Sequence, residues 1–141
     1  ILKTQLPAIN QEIDQLLGGL VDFRIIFETE PGSNSLDILI EDGHSKRPLE
    51  LGSGMEKMIA SIAIRVALIN LSSLPKADLF VIDEGFNALD EEHVGKCLEL
   101  LHGLKQHFKT ILVISHMQRV KEASDAIIEV VNTGQDSKLD A

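Results

Sequence analysis

Two pairs of adjacent residues have the types and positions to do chemistry together. Asp83 and Glu84 directly follow one short apolar run, and Ser115 and His116 directly follow another. Two neighbouring carboxylates are costly to place at a buried strand end unless a cation or solvent receives them. Gathered at one point, these groups suit nucleotide hydrolysis: Asp83 holds magnesium, usually through water, Glu84 polarises the attacking water, and His116 hydrogen-bonds the terminal phosphate. A solvated acidic turn and a structural histidine are the alternatives.

The elements that must position these pairs form a repeating pattern. The runs Leu79 to Ile82 and Thr110 to Ile114 are apolar without alternation, which is typical of strands buried on both faces. Asp90 can cap a helix from about Glu91 to Phe108, and a short helix and a strand from Ala126 to Val131 follow. Strand and helix in alternation imply parallel pairing with right-handed crossovers, and ligands bind where the carboxyl ends of such strands meet. The two pairs are therefore expected side by side.

A second candidate site precedes these strands, in the stretch Gly52 to Lys57. Ser53 and Glu56 have the spacing of a capping box, which would satisfy backbone amides at a helix start. Glycines beside a serine at a helix start also leave amides exposed to an anion such as phosphate. The helix that follows, 58–71, is apolar on nearly every face and is expected in the core. Its one arginine, Arg65, must either pair with a carboxylate or carbonyl or extend to the surface, and both alternatives stand.

The first 51 residues contain two patterns that lead up to this stretch. The spacing of Leu2, Leu6, Ile9, Ile13 and Leu16 is that of a coiled-coil seam, although Pro7 interrupts it and a plain amphipathic helix is the alternative. A helix can run through this segment or begin afresh at Pro7, and in either case we expect it to end at Gly18-Gly19. The segments 21–29 and 36–41 then predict a hairpin, with 49–51 as a candidate third strand.

Composition limits the class of protein. With 141 residues and 44% hydrophobic content, the chain has the size of one domain with one core. The net charge of −9 argues against this chain alone wrapping a nucleic-acid backbone. The single cysteine, Cys97, is expected to be buried, and His44 is expected to be a loop residue rather than a metal ligand. Because the sequence has no long apolar run and no signal-like start, an intracellular protein without a membrane span is expected.

Several of these motifs, in order and spacing, are similar to those of ABC-type ATPases. Ser53-Gly54-Met55-Glu56-Lys57 resembles the signature motif, and Leu79 to Glu84 resembles the Walker B strand. Asn87 to Asp90 resembles the D-loop, and His116 the switch histidine. Because a coiled-coil end and a hairpin precede the signature, the chain resembles the C-terminal ATPase lobe of SMC-like DNA-repair ATPases of the SbcC type. The departure is Met55, which stands where the family usually has glycine and is expected to narrow the approach of a phosphate.

The resemblance implies the following fold: an α/β P-loop NTPase head of the ABC-ATPase type, present as its C-terminal lobe. That lobe has a mostly parallel sheet with flanking helices, after a β-hairpin and the end of a coiled-coil helix. Residues 1–18 would be the coiled-coil end, 19–131 the lobe, and 132–141 a loose polar tail. A chain that opens in mid-heptad without Met also resembles a fragment of something longer.

The same resemblance implies cofactors and partners. No stretch reads Gly-x-x-x-x-Gly-Lys-Ser/Thr, so we expect ATP and Mg²⁺ to bind only when an N-terminal P-loop lobe of the same protein completes the site. The family's two heads sandwich two ATP molecules, with Ser53, Gly54 and Asp90 acting across the dimer. The resemblance also makes Met55, Glu56, Lys57 and Asn87 candidate nucleotide-binding residues. An SbcD-type manganese nuclease and double-stranded DNA would be the further partners, in the cytoplasm or nucleoid, or in a nucleus. An SMC-type chromosome organiser and a non-hydrolysing scaffold lobe are the alternatives, and a transporter is disfavoured.

Overall fold

The computed structural model describes residues 2–75, 78–83, 86, 89–132, 134 and 137–140. In chain order its elements are α1 (Leu2–Leu17), β1 (Arg24–Glu28), β2 (Asp37–Glu41), β3 (Lys46–Pro48), a 3-10 turn (Leu49–Leu51), α2 (Gly54–Leu71), β4 (Leu79–Asp83), α3 (Glu91–Leu104), β5 (Thr110–Ile114), α4 (Gln118–Glu122), β6 (Glu129–Asn132) and β7 (Ser137–Asp140). Among the described residues, no helix is both long and apolar enough to cross a membrane.

Helix α1 packs into the core along one face. Its buried residues, Leu6, Ile9, Ile13 and Leu17, recur every three or four positions, and the helix contacts both α2 and β1. Of the two alternatives for this segment, a fresh start at Pro7 is not the one adopted, because α1 runs through this residue. Pro7 is the sixth residue of α1, so its missing N–H removes one hydrogen bond of the helix, which nevertheless continues to Leu17. The helix ends as expected at Gly18-Gly19, where Gly19 has a positive φ of 78°.

The predicted hairpin is present and extends to a third strand at a different place. β1, β2 and β3 form an antiparallel sheet in that order. The third strand is Lys46–Pro48, and the predicted strand 49–51 is instead a 3-10 turn. The reason is the tight turn at Asp42, whose carboxylate accepts the N–H groups of His44 and Ser45 at 2.9 and 2.8 Å. This turn sets Lys46 opposite Glu41, so pairing begins at once and stops at Pro48, which has no N–H to donate.

The second half of the chain contains the parallel pair that the sequence predicts. β4 and β5 pair in parallel and α3 connects them. The prediction of burial on both faces is wrong for the strands as they stand: Phe80 and Ile82 are buried, but Leu79, Leu112 and Ile114 are 50%, 40% and 43% exposed. Leu112 and Ile114 lie on the same face of β5, so among the described residues that face of the two-stranded sheet lacks cover.

The end of the chain departs from the predicted pattern. The sequence predicts a strand over 126–131 in a parallel sheet, but β6 spans Glu129–Asn132 and pairs antiparallel with β7. The segment predicted to be a loose tail thus contains a strand, Ser137–Asp140. The side chains of β6 are exposed, and the pairing is made by the backbone of two consecutive segments. Local hairpin pairing of this kind needs no long crossover, unlike a third parallel strand.

Candidate functional site

The two candidate catalytic segments meet at one edge of the β4–β5 sheet. In the parallel register Asp83 lies opposite Ile114, so Ser115 and His116 follow directly beside the end of β4. Asp83 and His116 are both exposed, as groups that must reach a ligand need to be. Ser115 is half-buried, and its hydroxyl accepts a hydrogen bond from the Met117 N–H at 3.1 Å. The sequence-based condition that the two strands be neighbours is therefore met.

The loop after β4 carries three further predicted site residues. Two of them, Glu84 and Asn87, lie outside the described residues, like Gly85 and Ala88. The residues between and after them are anchored: Phe86 is 0% exposed, and the Leu89 N–H donates to the Phe86 carbonyl at 3.0 Å. The third, Asp90, is the N-cap of α3 as expected, and its carboxylate accepts the His93 N–H at 2.9 Å.

The Asp90 carboxylate contacts the side chain of His93 as well as its backbone N–H. The imidazole Nδ1 of His93 lies 2.7 Å from the Asp90 Oδ1 atom. The Asp90 side chain is 63% exposed, so it also faces solvent beside the loop that carries Asn87. Its position at a helix start lets it cap α3 and still present an oxygen to a neighbouring molecule.

The second candidate site, at the start of α2, has the predicted serine cap. Ser53 is the N-cap, and its hydroxyl accepts the Glu56 N–H at 3.2 Å. The reciprocal half of the capping box is absent among the described residues, because the Glu56 carboxylate does not return to the Ser53 N–H. It instead accepts hydrogen bonds from the Arg47 Nη2 atom, at 2.8 and 2.7 Å to its two oxygens. The prediction of a complete capping box is thus wrong on its Glu56 half.

The other residues of the signature-like stretch divide between surface and core. Lys57 and Gly54 are exposed, while Met55 is half-buried and packs against the core cluster. Part of the Met55 side chain is therefore turned away from the surface that a phosphate would approach. Position 52, directly before the cap, has no room for a side chain, because an added Cβ would lie 2.7 Å from Ile40 Cδ1.

Arg65 joins α2 to the strand that carries Asp83. Its Nη2 atom donates to the Val81 carbonyl at 2.9 Å, and the guanidinium lies 4.4 Å from the centroid of the Phe80 ring. The residue nevertheless remains exposed. Both of the sequence-based alternatives therefore hold in part, because the side chain reaches the surface and binds a carbonyl there.

The two candidate sites are linked through α2 but do not merge. Twelve residues of helix separate Ser53 from Arg65, roughly 18 Å along the axis at 1.5 Å per residue. Among the described residues, no hydrogen bond or ion pair joins the stretch 53–57 to the β4–β5 edge. The fold thus brings Asp83 and His116 together and keeps the start of α2 as a distinct surface feature.

The chemistry of each feature fits one part of a magnesium nucleotide. A carboxylate oxygen such as that of Asp83 is the ligand that Mg²⁺ prefers. Within the described part of the chain, no three His, Cys, Asp or Glu side chains cluster as a metal site would, and Asp83 is the carboxylate that ends β4 at this edge. The first N–H groups of α2 suit phosphate oxygens because they lie at the positive end of the helix dipole.

Sequence reasoning missed two residues that support these sites. Arg47 binds the Glu56 carboxylate. Arg119 of α4 donates to the Glu91 carbonyl of α3, and its guanidinium passes close to Gly95. Neither arginine stands in a motif, so no local signal distinguishes it from a solvated surface cation. By contrast Cys97 is fully buried as predicted, and burial raises the pKa of its thiol to about 11.

Comparisons with known proteins agree with these features. Residues 32–103, about half of the chain, match the family described as SbcC/RAD50-like, Walker B motif. The SbcC component of the nuclease SbcCD from Vibrio cholerae is 30% identical over 112 residues, which cover 75% of this chain and 11% of that protein. The DNA double-strand break repair Rad50 ATPase of Pyrococcus abyssi is 28% identical over 116 residues, 82% of this chain and 13% of that one.

A solved structure agrees at the level of the fold. It comes from work on ATP-driven dimerisation and DNA-stimulated activation of SMC ATPases, and it superposes with a TM-score of 0.79 at 21% identity. The superposition covers 98% of this chain and 85% of that one. This confirms the predicted α/β fold of an ABC-ATPase-type lobe, while the chain spans only about a tenth of the length of its curated relatives. The chain thus belongs to the SbcC/RAD50-like family.

Proposed function

We propose that this chain is the C-terminal half of an ATP-hydrolysing head that requires Mg²⁺ and an N-terminal P-loop lobe of the same protein. The observation that carries the proposal is the edge at which Asp83 of β4 meets Ser115 and His116 after β5. Membership in a family of ATPases supports the reaction, and the Walker B match covers Asp83 and Glu84.

Each residue at this edge has one task in the proposed reaction. Asp83 would hold Mg²⁺, which when bound neutralises charge on phosphate oxygens. Glu84 would accept a hydrogen bond from the attacking water and orient it. An N–H of the His116 imidazole would donate to an oxygen of the terminal phosphate, where negative charge increases during the reaction.

Two features of this chain support the requirement for a second lobe: a missing P-loop and an exposed apolar face on β5. The sequence contains no P-loop, so it lacks the backbone cradle and lysine that hold the phosphates of a nucleotide. β5 also exposes Leu112 and Ile114, which a parallel sheet of this type normally covers. An N-terminal lobe lying on this side of β5 would bury these side chains and bring the P-loop to Asp83.

ATP would then join two such heads. Ser53, Gly54, Met55 and Lys57 would meet the nucleotide of the opposite head through the start of α2, with Asn87 and Asp90 beside them. The solved SMC ATPase that shares this fold is described as dimerising with ATP, which supports the proposal. In this arrangement residues 1–18 would continue into a coiled coil, 19–131 would form the lobe, and 132–141 would be its tail.

We further propose that the whole protein serves DNA double-strand-break repair together with an SbcD-type manganese nuclease, and contacts double-stranded DNA through that complex. The names of the Vibrio and Pyrococcus relatives support this branch. Such a protein would work where DNA lies, in the cytoplasm or nucleoid, or in a nucleus. An SMC-type chromosome organiser is the second candidate, favoured by the SMC fold match.

The test of hydrolysis uses Glu84→Gln in the full-length protein. The variant should bind ATP and Mg²⁺ as the wild type does, lose steady-state phosphate release, and accumulate as a nucleotide-bound dimer in sedimentation velocity. Glu99→Gln, an exposed carboxylate on α3, is the matched control and should hydrolyse ATP normally.

Two results would count against the proposal. Wild-type turnover in Glu84→Gln would remove Glu84 from its role, and a wild-type protein without magnesium-dependent ATPase activity would support a scaffold. Affinity purification from the native source separates the two branches, because a phosphoesterase should copurify with a repair ATPase and not with a chromosome organiser.

A further inference from the structure

The contact between Arg47 and Glu56 joins the β1–β2–β3 sheet to the start of α2. Arg47 lies on β3 and Glu56 in the first turn of α2, and the arginine donates to both carboxylate oxygens. The Glu56 side chain is only 15% exposed and that of Arg47 29%. Arg47 is also held from behind, at 3.5 Å, by Asp42 of the hairpin turn. The sheet thereby fixes the position of one carboxylate at the helix start.

Because Glu56 pairs with Arg47, the capping box between Ser53 and Glu56 is only half formed. Glutamate at the third position of a helix, with serine at the cap, ordinarily bonds back to the N–H of the cap residue. Here the carboxylate is drawn to Arg47 instead. Within the described residues, the Ser53 N–H therefore has no acceptor. The Gly54 and Met55 N–H groups have none either, as in the first turn of any helix, and the Glu56 N–H is taken by the Ser53 hydroxyl.

From these contacts we infer that Arg47 is a positioning residue that holds the Glu56 carboxylate beside Gly52 and off the Ser53 N–H, so that the amides at the start of α2 remain available to nucleotide phosphate. This rests on the proposed function, in which the start of α2 meets the ATP of an opposite head. It also revises the role that the signature resemblance implies for Glu56. The Glu56 carboxylate is held by Arg47 and does not contact the nucleotide.

Two physical effects follow when Arg47 is lost. Glu56 completes the capping box and occupies the Ser53 N–H, which removes one donor from the phosphate site. The carboxylate, which already lies beside Gly52, also loses the positive charge of Arg47 that offsets it, and an unbalanced negative charge at this place repels phosphate. Both effects weaken nucleotide binding between heads, and neither touches the nucleotide's contacts within one head.

The experiment measures dimerisation and nucleotide binding separately in the full-length protein. Sedimentation velocity with Mg²⁺ and the non-hydrolysable analogue AMP-PNP gives the analogue concentration at half-maximal dimer. Arg47→Met should raise this concentration about tenfold, while binding of a fluorescent ATP to the monomer stays within about twofold. Arg24→Met is the matched control, because Arg24 is also an ion-paired arginine of this sheet but is 56% exposed and far from α2 in sequence.

A double variant separates this mechanism from a general loss of structure. In Arg47→Met/Glu56→Ala no carboxylate can move to the amides, so dimerisation should return to within about threefold of wild type. Arg47→Lys, which keeps the charge with a single donor group, gives a second test if Arg47→Met fails to fold, and should shift the midpoint by less than about threefold.

The outcomes distinguish failure of the inference from failure of the proposed function. A wild-type protein that does not dimerise with nucleotide overturns the proposed function, and the role of Arg47 with it. A wild-type protein that dimerises while Arg47→Met dimerises equally well overturns the inference alone. A double variant as weak as Arg47→Met also overturns it, because the carboxylate is then not the cause.

Discussion

Replacing Gly52 with alanine tests whether the turn before α2 is as tightly enclosed as the structure indicates. Gly52 has φ −70° and ψ 162°, which any residue adopts, so the cost comes from space and not from backbone strain. An added Cβ would lie 2.7 Å from Ile40 Cδ1 and 3.0 Å from the Leu49 carbonyl oxygen. Both distances are shorter than ordinary van der Waals contact.

The magnitude depends on whether these neighbours can move. Ile40 is 0% exposed and lies in the central strand of the β1–β2–β3 sheet, so its methyl group can shift only by displacing other core side chains. The Leu49 carbonyl accepts the Gly52 N–H at 2.9 Å, which fixes it in place. Overpacking of this kind typically costs about 1–3 kcal/mol. We therefore expect Gly52→Ala to lower the free energy of unfolding by roughly 2 kcal/mol.

Urea denaturation followed by far-UV circular dichroism measures this change. Gly103→Ala is the control, because Gly103 is exposed within α3 and an added Cβ meets nothing within 4 Å. That substitution should stabilise the protein by about 0.5–1 kcal/mol through helix propensity.

A double variant identifies the atom responsible. Ile40→Val removes Cδ1 and alone should cost about 0.5–1.5 kcal/mol. Combined with Gly52→Ala, the total loss should be smaller than the sum of the single losses by about 1 kcal/mol, because the shorter side chain makes room for the new methyl group. Additive losses, or a Gly52→Ala protein as stable as the wild type, would refute the steric argument.

Three further outcomes are expected. Cys97 should resist alkylation at pH 8 in the folded protein and react rapidly in urea, because burial raises its pKa to about 11; equal rates by thiol titration would contradict its burial. Arg65→Met should lower the free energy of unfolding, measured by urea denaturation, by about 1 kcal/mol, because the exposed hydrogen bond to the Val81 carbonyl is lost. Ser61→Ala on the same helix should leave the free energy of unfolding unchanged. Hydrogen bonds from the His44 and Ser45 amides lower the pKa of Asp42 from 3.8 in the folded protein. The stabilisation from the Asp42 carboxylate is therefore complete above pH 3.8 and is lost as the pH falls through the pKa of the folded state. The difference in unfolding free energy between wild type and Asp42→Asn should accordingly shrink between pH 7 and about pH 2.5.

Local patterns predicted the elements well where one short-range signal decides the outcome. The glycine pair ended α1, Ser53 and Asp90 capped α2 and α3, and two apolar runs became parallel neighbours. Predictions failed where pairing competed between segments. The third hairpin strand moved to Lys46–Pro48 because a tight turn started its pairing early, and β6 paired with the segment after it instead of with a parallel neighbour.

The sequence by itself therefore determined the chemistry of the site: which carboxylates, which imidazole and which helix start are present, and the family to which they belong. It could do so because these motifs are contiguous and their spacing follows from single strands and helix caps. Only the tertiary structure decided where the Glu56 carboxylate lies. Its partner, Arg47, reaches it from another element nine residues earlier, and the choice between Arg47 and the Ser53 N–H depends on how the sheet packs against α2. Spacing along the chain favours the Ser53 N–H, three residues away, and gives no signal for Arg47, which only the packing of the sheet brings within reach.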